Sequence, residues 1–225
     1  MMKILKNHFR IALKLVVLIG FSCAHAGSYE DFFKFIKRDE PGIIQQLLVR
    51  GFDANTPDPY GQLGLIMAFE EPSPKVIQTL IDWPKTNLNT LNSKGESPLM
   101  MAALKGEAGF AEQMIKKGAD VNKTGWTPLH YAATGGDVKV ISLLLANHAY
   151  IDAESPNGTT PLMMACRYGS TESVKLLLDE GADPTLKNKL GATALQFALD
   201  GIRPDAIAMM TKAARAQAPR SNGQW

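Results

Sequence analysis

Apolar positions in this chain recur in two alternating registers. The first opens on a four-residue phrase. Ser97-Pro98-Leu99-Met100, Thr127-Pro128-Leu129-His130, Thr160-Pro161-Leu162-Met163 and Thr193-Ala194-Leu195-Gln196 follow one another at spacings of 30, 33 and 33 residues. A degenerate copy, Leu63-Gly64-Leu65-Ile66, stands 34 residues before the first. The Ser or Thr hydroxyl can cap the free amides of a helix start. Proline costs nothing at the first helical position, where the amide it lacks has no partner. The leucine begins an apolar face at i, i+3, i+4. Small residues come next, at Ala102-Ala103, Ala132-Ala133, Ala165-Cys166 and Ala198, and let neighbouring helices approach closely. After a break, a second apolar run such as Val174-Lys175-Leu176-Leu177-Leu178 predicts a second helix. No stretch carries a strand pattern.

The second helix ends on Gly118-Ala119-Asp120 and again on Gly181-Ala182-Asp183, where glycine can take the left-handed conformation that stops a helix. A loop with its own glycine (Gly61, Gly95, Gly125, Gly158, Gly191) then returns the chain to the next phrase. With phrase, period, terminal glycine and loop glycine recurring together, the chain resembles the ankyrin-repeat family. The resemblance covers nearly all of the chain after residue 26. It implies an all-α ankyrin-repeat solenoid over 27–217. About six helix-turn-helix units with short hairpin-like fingers would lie near 28–60, 61–94, 95–124, 125–157, 158–190 and 191–217. The first unit lacks the cap phrase and carries Lys34, Lys37, Arg38, Asp39 and Glu40, which suits an end unit with a polar outer face. Residues 218–225 have no periodicity and read as a flexible tail.

The chain departs from the family pattern in three places. The phrase histidine survives only at His130; Ile66, Met100, Met163 and Gln196 hold the position elsewhere, so the family's histidine relay between repeats is mostly missing. The usual glycine stop is lost around Trp83-Pro84. The finger between Asn122 and Thr127 is three residues short.

Solenoids bind macromolecules on a concave face, and the family resemblance implies protein binding without catalysis. The family's contact positions fall here on the finger tips and the ends of the inner helices. The candidate partner-binding residues are Tyr60, Lys94 and Asn157 at tips, Trp126 in the short finger, and Glu70, Glu71, Leu104, Lys105, Arg167 and Tyr168 at helix ends. Aromatic and guanidinium groups are the usual interface anchors. Trp126 either serves as such an anchor or folds over the gap left by the missing finger residues. Met67, Met101, Tyr131, Met164 and Phe197 share one position after the phrase and form a stripe, read as core. As an exposed groove the same stripe would suit an interface that repacks.

The first twenty-six residues change the charge balance. Lys3, Lys6, Arg10 and Lys14, the apolar run Leu15 to Phe21 and the Ala24-His25-Ala26 site have the layout of a secretory signal peptide. Its apolar run is far below the roughly 20 residues of a spanning helix. Without those four basic residues, 20 Lys and Arg stand against 22 Asp and Glu, a formal charge of −2. The remainder therefore has no basic stripe for nucleic acid. Export predicts a periplasmic protein, monomeric and off the membrane once the signal is removed. Cys23 leaves with the signal, and one thiol, Cys166, makes no internal disulfide.

No catalytic site, metal site or cofactor is expected. Cys166 and His130 fall in adjacent units, but one replaces a small core alanine and the other is the phrase histidine. The rival of a different class is a methionine-based metal or redox protein, since thioethers are soft ligands; yet Met100-Met101 and Met163-Met164 occupy positions that the repeat already explains. Two jobs remain within protein binding. The first is an accessory or support factor for a periplasmic protein, and the second is an immunity or inhibitor protein against a secreted toxin.

Overall fold

The computed structural model describes residues 27–217. The signal peptide expected at 1–26 and the tail expected at 218–225 lie outside the described residues. Among the described residues the architecture is helical, as six consecutive pairs. Helix α1 (27–36) pairs with α2 (Pro41–Val49), α3 (Gly64–Glu70) with α4 (Pro74–Asp82), and α5 (Pro98–Leu104) with α6 (Ala108–Lys116). Then α7 (Pro128–Gly135) pairs with α8 (Val138–Ala146), α9 (Pro161–Tyr168) with α10 (Thr171–Asp179), and α11 (Ala194–Asp200) with α12 (Pro204–Gln217). The chain divides into two compact units, up to Thr86 and from Asn87 onward.

The first unit holds α1 to α4. Phe32 and Ile36 of α1 are fully buried, and the Phe32 ring lies 4.5 Å from that of Phe52. Gly64 stands where the next three repeats have Pro98, Pro128 and Pro161, and the structure gives the reason. A Cβ at Gly64 would come within 2.5 Å of the Phe32 ring. The finger closes through the Asp58 amide to the Gln62 carbonyl at 2.8 Å, beside an isolated antiparallel bridge between Pro57 and Leu63.

The second unit is two rows of helices. In the first row α5, α7, α9 and α11 are successive neighbours; in the second, α6, α8, α10 and α12 follow in the same order. The phrase leucines Leu99, Leu129 and Leu162 are wholly buried, each contributing about 1.5–3 kcal/mol of apolar burial. Ala102, Ala103, Ala132, Ala133, Ala165, Cys166 and Ala198 are wholly buried as well. Close approach is enforced at the helix ends. A Cβ on Gly135 would lie 2.4 Å from the Leu104 carbonyl oxygen, and one on Gly169 2.4 Å from that of Ala133.

The helix starts use their caps in different ways. Ser97 Oγ accepts from the Met100 amide at 3.3 Å, and Thr160 Oγ1 from the Met163 amide at 3.4 Å. In return the methionine sulfurs accept from the cap amides, at 3.3 Å for Met100 and 3.4 Å for Met163. Thioether sulfur thus takes over the acceptor half of the histidine's role. Thr193, expected from its phrase to cap α11, makes no side-chain cap bond.

Successive turns of the second unit are braced by one recurring contact. The Asn89 side chain donates to the Gly118 carbonyl and accepts from the Asp120 amide. One repeat later Asn122 donates to the His148 carbonyl and accepts from the Tyr150 amide. Asp152 accepts from the Asp183 amide at 3.1 Å. In the turn that Asn122 braces, His148 holds the left-handed position (φ 64°) that glycine fills at Gly118 and Gly181.

Candidate functional site

The shortened finger shapes the face of the second unit. Full-length fingers close on paired backbone bonds, such as the Asn92 amide to the Glu96 carbonyl at 2.9 Å and the Ser155 amide to the Thr159 carbonyl at 3.0 Å. The short finger leans on its neighbour, with Lys123 Nζ donating to the Gly95 carbonyl at 3.4 Å. Its last residue before the cap is Trp126. The indole is half-buried and meets the His130 ring edge-on, with centroids 5.2 Å apart at 75°. Such a pair is worth about 0.5–1.5 kcal/mol beyond burial.

His130 is the hinge pin of this region. It is fully buried. Its Nδ1 faces the Thr127 amide at 3.2 Å and the Thr127 hydroxyl at 2.9 Å, while Nε2 faces the Thr159 carbonyl at 2.8 Å. The geometry fixes the neutral tautomer, since Nδ1 must accept from an N–H and Nε2 must donate to a carbonyl. Burial lowers the imidazole's proton affinity from 6.5 to about 4, although the Thr159 and Ala153 carbonyls pull the other way. His130 therefore ties its own helix cap to the next finger, a link the methionines at the equivalent positions cannot make because sulfur has no proton to donate.

Below Trp126 an apolar cleft of about 250 Å³ opens between the first-row helices. Leu104 at the end of α5, Trp126, then His130, Tyr131 and Thr134 of α7, and Met164 of α9 line it. The Tyr131 hydroxyl donates to Glu96 at 3.1 Å, and burial followed by that carboxylate pushes the phenol upward. Thr134 Oγ1 is turned back onto the His130 carbonyl at 2.8 Å, so its methyl completes an apolar wall.

The candidate residues read from the sequence separate into groups. Leu104 and Trp126 share the cleft, with Lys105 exposed immediately after Leu104. Arg167 and the exposed Tyr168 stack at the end of α9, with the guanidinium 5.3 Å from the ring centroid and 4.0 Å from Asp200. Lys94 and Asn157 sit on exposed finger tips, and Asn157 Oδ1 is tied to Ser155 Oγ at 2.5 Å. Tyr60, Glu70 and Glu71 belong to the first unit. There Tyr60 is 86% exposed, Glu70 accepts from Gln62 at 2.7 Å, and Glu71 pairs with Lys37 at 3.3 Å.

Sequence reasoning missed Thr134 as part of the site, and marked Glu96 only as a position beside a finger tip. The only sequence signal for Thr134 was its place one turn after His130. The stripe splits as well. Met67 and Met101 are core, whereas Tyr131, Met164 and Phe197 are half-exposed. Cys166 is fully buried, which pushes its thiol up to about 12 and disfavours the thiolate. Among the described residues no three His, Cys, Asp or Glu side chains are grouped to hold a metal ion, and no helix is long and apolar enough to cross a membrane.

Comparison with known proteins agrees with this architecture. The family model for ankyrin repeats (three copies) matches residues 32–124 and 65–155, and that for ankyrin repeats (many copies) matches 143–198. The B-cell lymphoma 3 protein homolog of Mus musculus is 28% identical over 165 residues, covering 70% of this chain and 37% of the relative. The nuclear factor NF-kappa-B p105 subunit of Gallus gallus is 31% identical over 153 residues, covering 65% and 16%. The chain thus spans little more than a third of the length of these curated relatives, or less. Among solved structures, a chain from the complex of a predatory endopeptidase of Bdellovibrio bacteriovorus with an immunity protein is similar at a TM-score of 0.67 and 27% identity. The match covers 80% of this chain and 96% of that one.

Proposed function

The chain belongs to the ankyrin-repeat family, and from that premise we propose that it is a non-enzymatic binding module that blocks a partner hydrolase. It does so through the first-row helices and fingers of the second unit. Ankyrin repeats serve as protein-binding modules, and the cleft, the Arg167–Tyr168 pair and the exposed finger tips supply apolar, aromatic and guanidinium contacts on that face. The observation that carries the inhibitory role is the near full-length likeness to a chain of an endopeptidase–immunity protein complex. Export through residues 1–26 would bring the module to a periplasmic target.

The test is capture and titration. The exported chain, immobilised, is exposed to envelope extract of the producing cells and to the secreted proteins of its competitors. A captured hydrolase is then assayed against increasing amounts of the chain. Stoichiometric loss of its activity is expected, and Trp126→Ala should weaken binding by about 2 kcal/mol. A captured enzyme whose activity rises on binding would assign the accessory role instead. Failure to bind any hydrolase would overturn the inhibitory reading.

A further inference from the structure

We propose that the Trp126 cleft receives one large apolar side chain, aromatic or long aliphatic, from a partner loop in which carboxylates flank that side chain; the proposal rests on the protein-binding reading above. Volume sets the size of the occupant. About 250 Å³ is below the roughly 300–1,000 Å³ typical of small-molecule sites and suits a single side chain. The lining sets its character. Leu104, Trp126, Tyr131 and Met164 present carbon, sulfur and ring faces, and the side-chain polar atoms of His130, Tyr131 and Thr134 are already engaged. The Tyr131 hydroxyl is held by Glu96, the Thr134 hydroxyl by the His130 carbonyl, and both His130 nitrogens by Thr127 and Thr159. A polar occupant whose groups lie beyond the Trp126 indole N–H would find no partner and would lose their hydration.

The surroundings set the charge of the flanking residues. Lys105 follows the lining residue Leu104 and is exposed. Lys123 is three residues before Trp126, with its amine at the Gly95 carbonyl, and the exposed Lys94 lies on that same neighbouring finger. Arg167 is one turn beyond Met164 on α9. Glu96, whose carboxylate touches the lining residue Tyr131, is committed to that hydroxyl and to the Asn92 amide group at 2.8 Å, and Asp200 lies 4.0 Å from Arg167. A loop entering over these amines is favoured if it carries Asp or Glu beside the inserted side chain, and opposed if it carries Lys or Arg.

The test uses short peptides as probes. Acetyl-Asp-Phe-Asp-amide, acetyl-Asp-Ala-Asp-amide and acetyl-Lys-Phe-Lys-amide are titrated into the chain labelled at methionine methyl groups. The Met164 resonance is identified by its loss in Met164→Leu. The Asp-Phe-Asp peptide is expected to shift Met164 upfield through its ring current, with half-saturation near about 1 mM. The other two peptides should bind at least about tenfold more weakly. Thr134→Trp replaces one small lining side chain with an indole that fills the cleft, giving up the Thr134 hydroxyl bond to the His130 carbonyl; it should abolish the shift while leaving the thermal melt within a few degrees of wild type. No movement of Met164 up to about 10 mM peptide, or equal movement with the Lys-Phe-Lys peptide, would overturn the proposal. So would free indole saturating the cleft while the Asp-Phe-Asp peptide does not. A captured hydrolase still inhibited by Thr134→Trp would remove the cleft from the interface and leave the inhibitory reading standing. Peptide binding without any captured hydrolase would do the reverse.

Discussion

Replacing His130 with methionine separates the two jobs of this side chain and gives a stability difference that changes sign with pH. Met100 and Met163 already show that sulfur can accept the cap amide at 3.3–3.4 Å. His130→Met should therefore keep the start of α7 and a sulfur–ring contact with Trp126. What it loses is the Nε2 bond to the Thr159 carbonyl. That oxygen still accepts from the Ser155 amide at 3.0 Å, so it is not orphaned, and the loss is about 1 kcal/mol. At pH 7.5 the variant should be less stable than wild type by that amount.

The acid side runs the other way. In the unfolded chain a histidine takes up its proton near 6.5, and in the fold only near 4. Because the unfolded state binds the proton first, wild-type stability is complete above about 6.5 and is lost as pH falls towards about 4. By pH 4.5 the loss attributable to this one group is about 2.5 kcal/mol. The variant has no imidazole and escapes it, so it should be more stable than wild type by about 1.5 kcal/mol. Urea unfolding of both proteins at pH 7.5 and 4.5 measures the difference directly, and the carboxylates they share cancel. The reasoning is wrong if the variant-minus-wild-type difference is the same at both pH values.

Four further substitutions probe the scaffold by thermal or urea unfolding. Thr160→Ala removes the oxygen that accepts from the Met163 amide and should cost about 1 kcal/mol; an unchanged melt would refute the cap. Gly169→Ala drives a Cβ to 2.4 Å from the Ala133 carbonyl and 2.7 Å from Ser173 Oγ, and should cost about 3 kcal/mol or more. Gly181→Ala, with a positive φ but open space around it, should cost only about 1 kcal/mol, and equal losses at the two sites would contradict the steric argument. Ile202 is β-branched, 83% exposed and held at φ 53°; Ile202→Gly should raise stability by about 1 kcal/mol through relief of left-handed strain.

The repeated helix pairs were legible because each rests on local rules. A hydroxyl before a proline, a leucine three residues into the phrase and a glycine after an apolar run act within one turn of helix. They recur at a fixed period even where one copy drops a cap or a proline, so the spacing of Thr127, Thr160 and Thr193 already carried the architecture. The candidate contacts were legible only as positions. Leu104 and Trp126 were both marked, but nothing in their order shows that they line one cleft, because they meet through the stacking of α5 on α7.

What the sequence by itself determined is the unit: two helices, a finger, and the shortened loop that puts Trp126 next to Thr127. The tertiary structure alone decided what occupies the space that loop left. Trp126 packs on His130 and at the same time walls an open cleft, so packing on the fold leaves part of the indole at the surface. Only the stacked structure shows that methionine sulfur takes the histidine's acceptor place at Ser97 and Thr160, or that Gly64 makes room for the Phe32 ring. The physical reason is the range of the interactions. Caps and turns are settled between residues three or four apart. Burial, proton affinity and the shape of a cleft depend on atoms in the neighbouring repeat, such as Thr159 for His130, whose distance of approach no local pattern specifies.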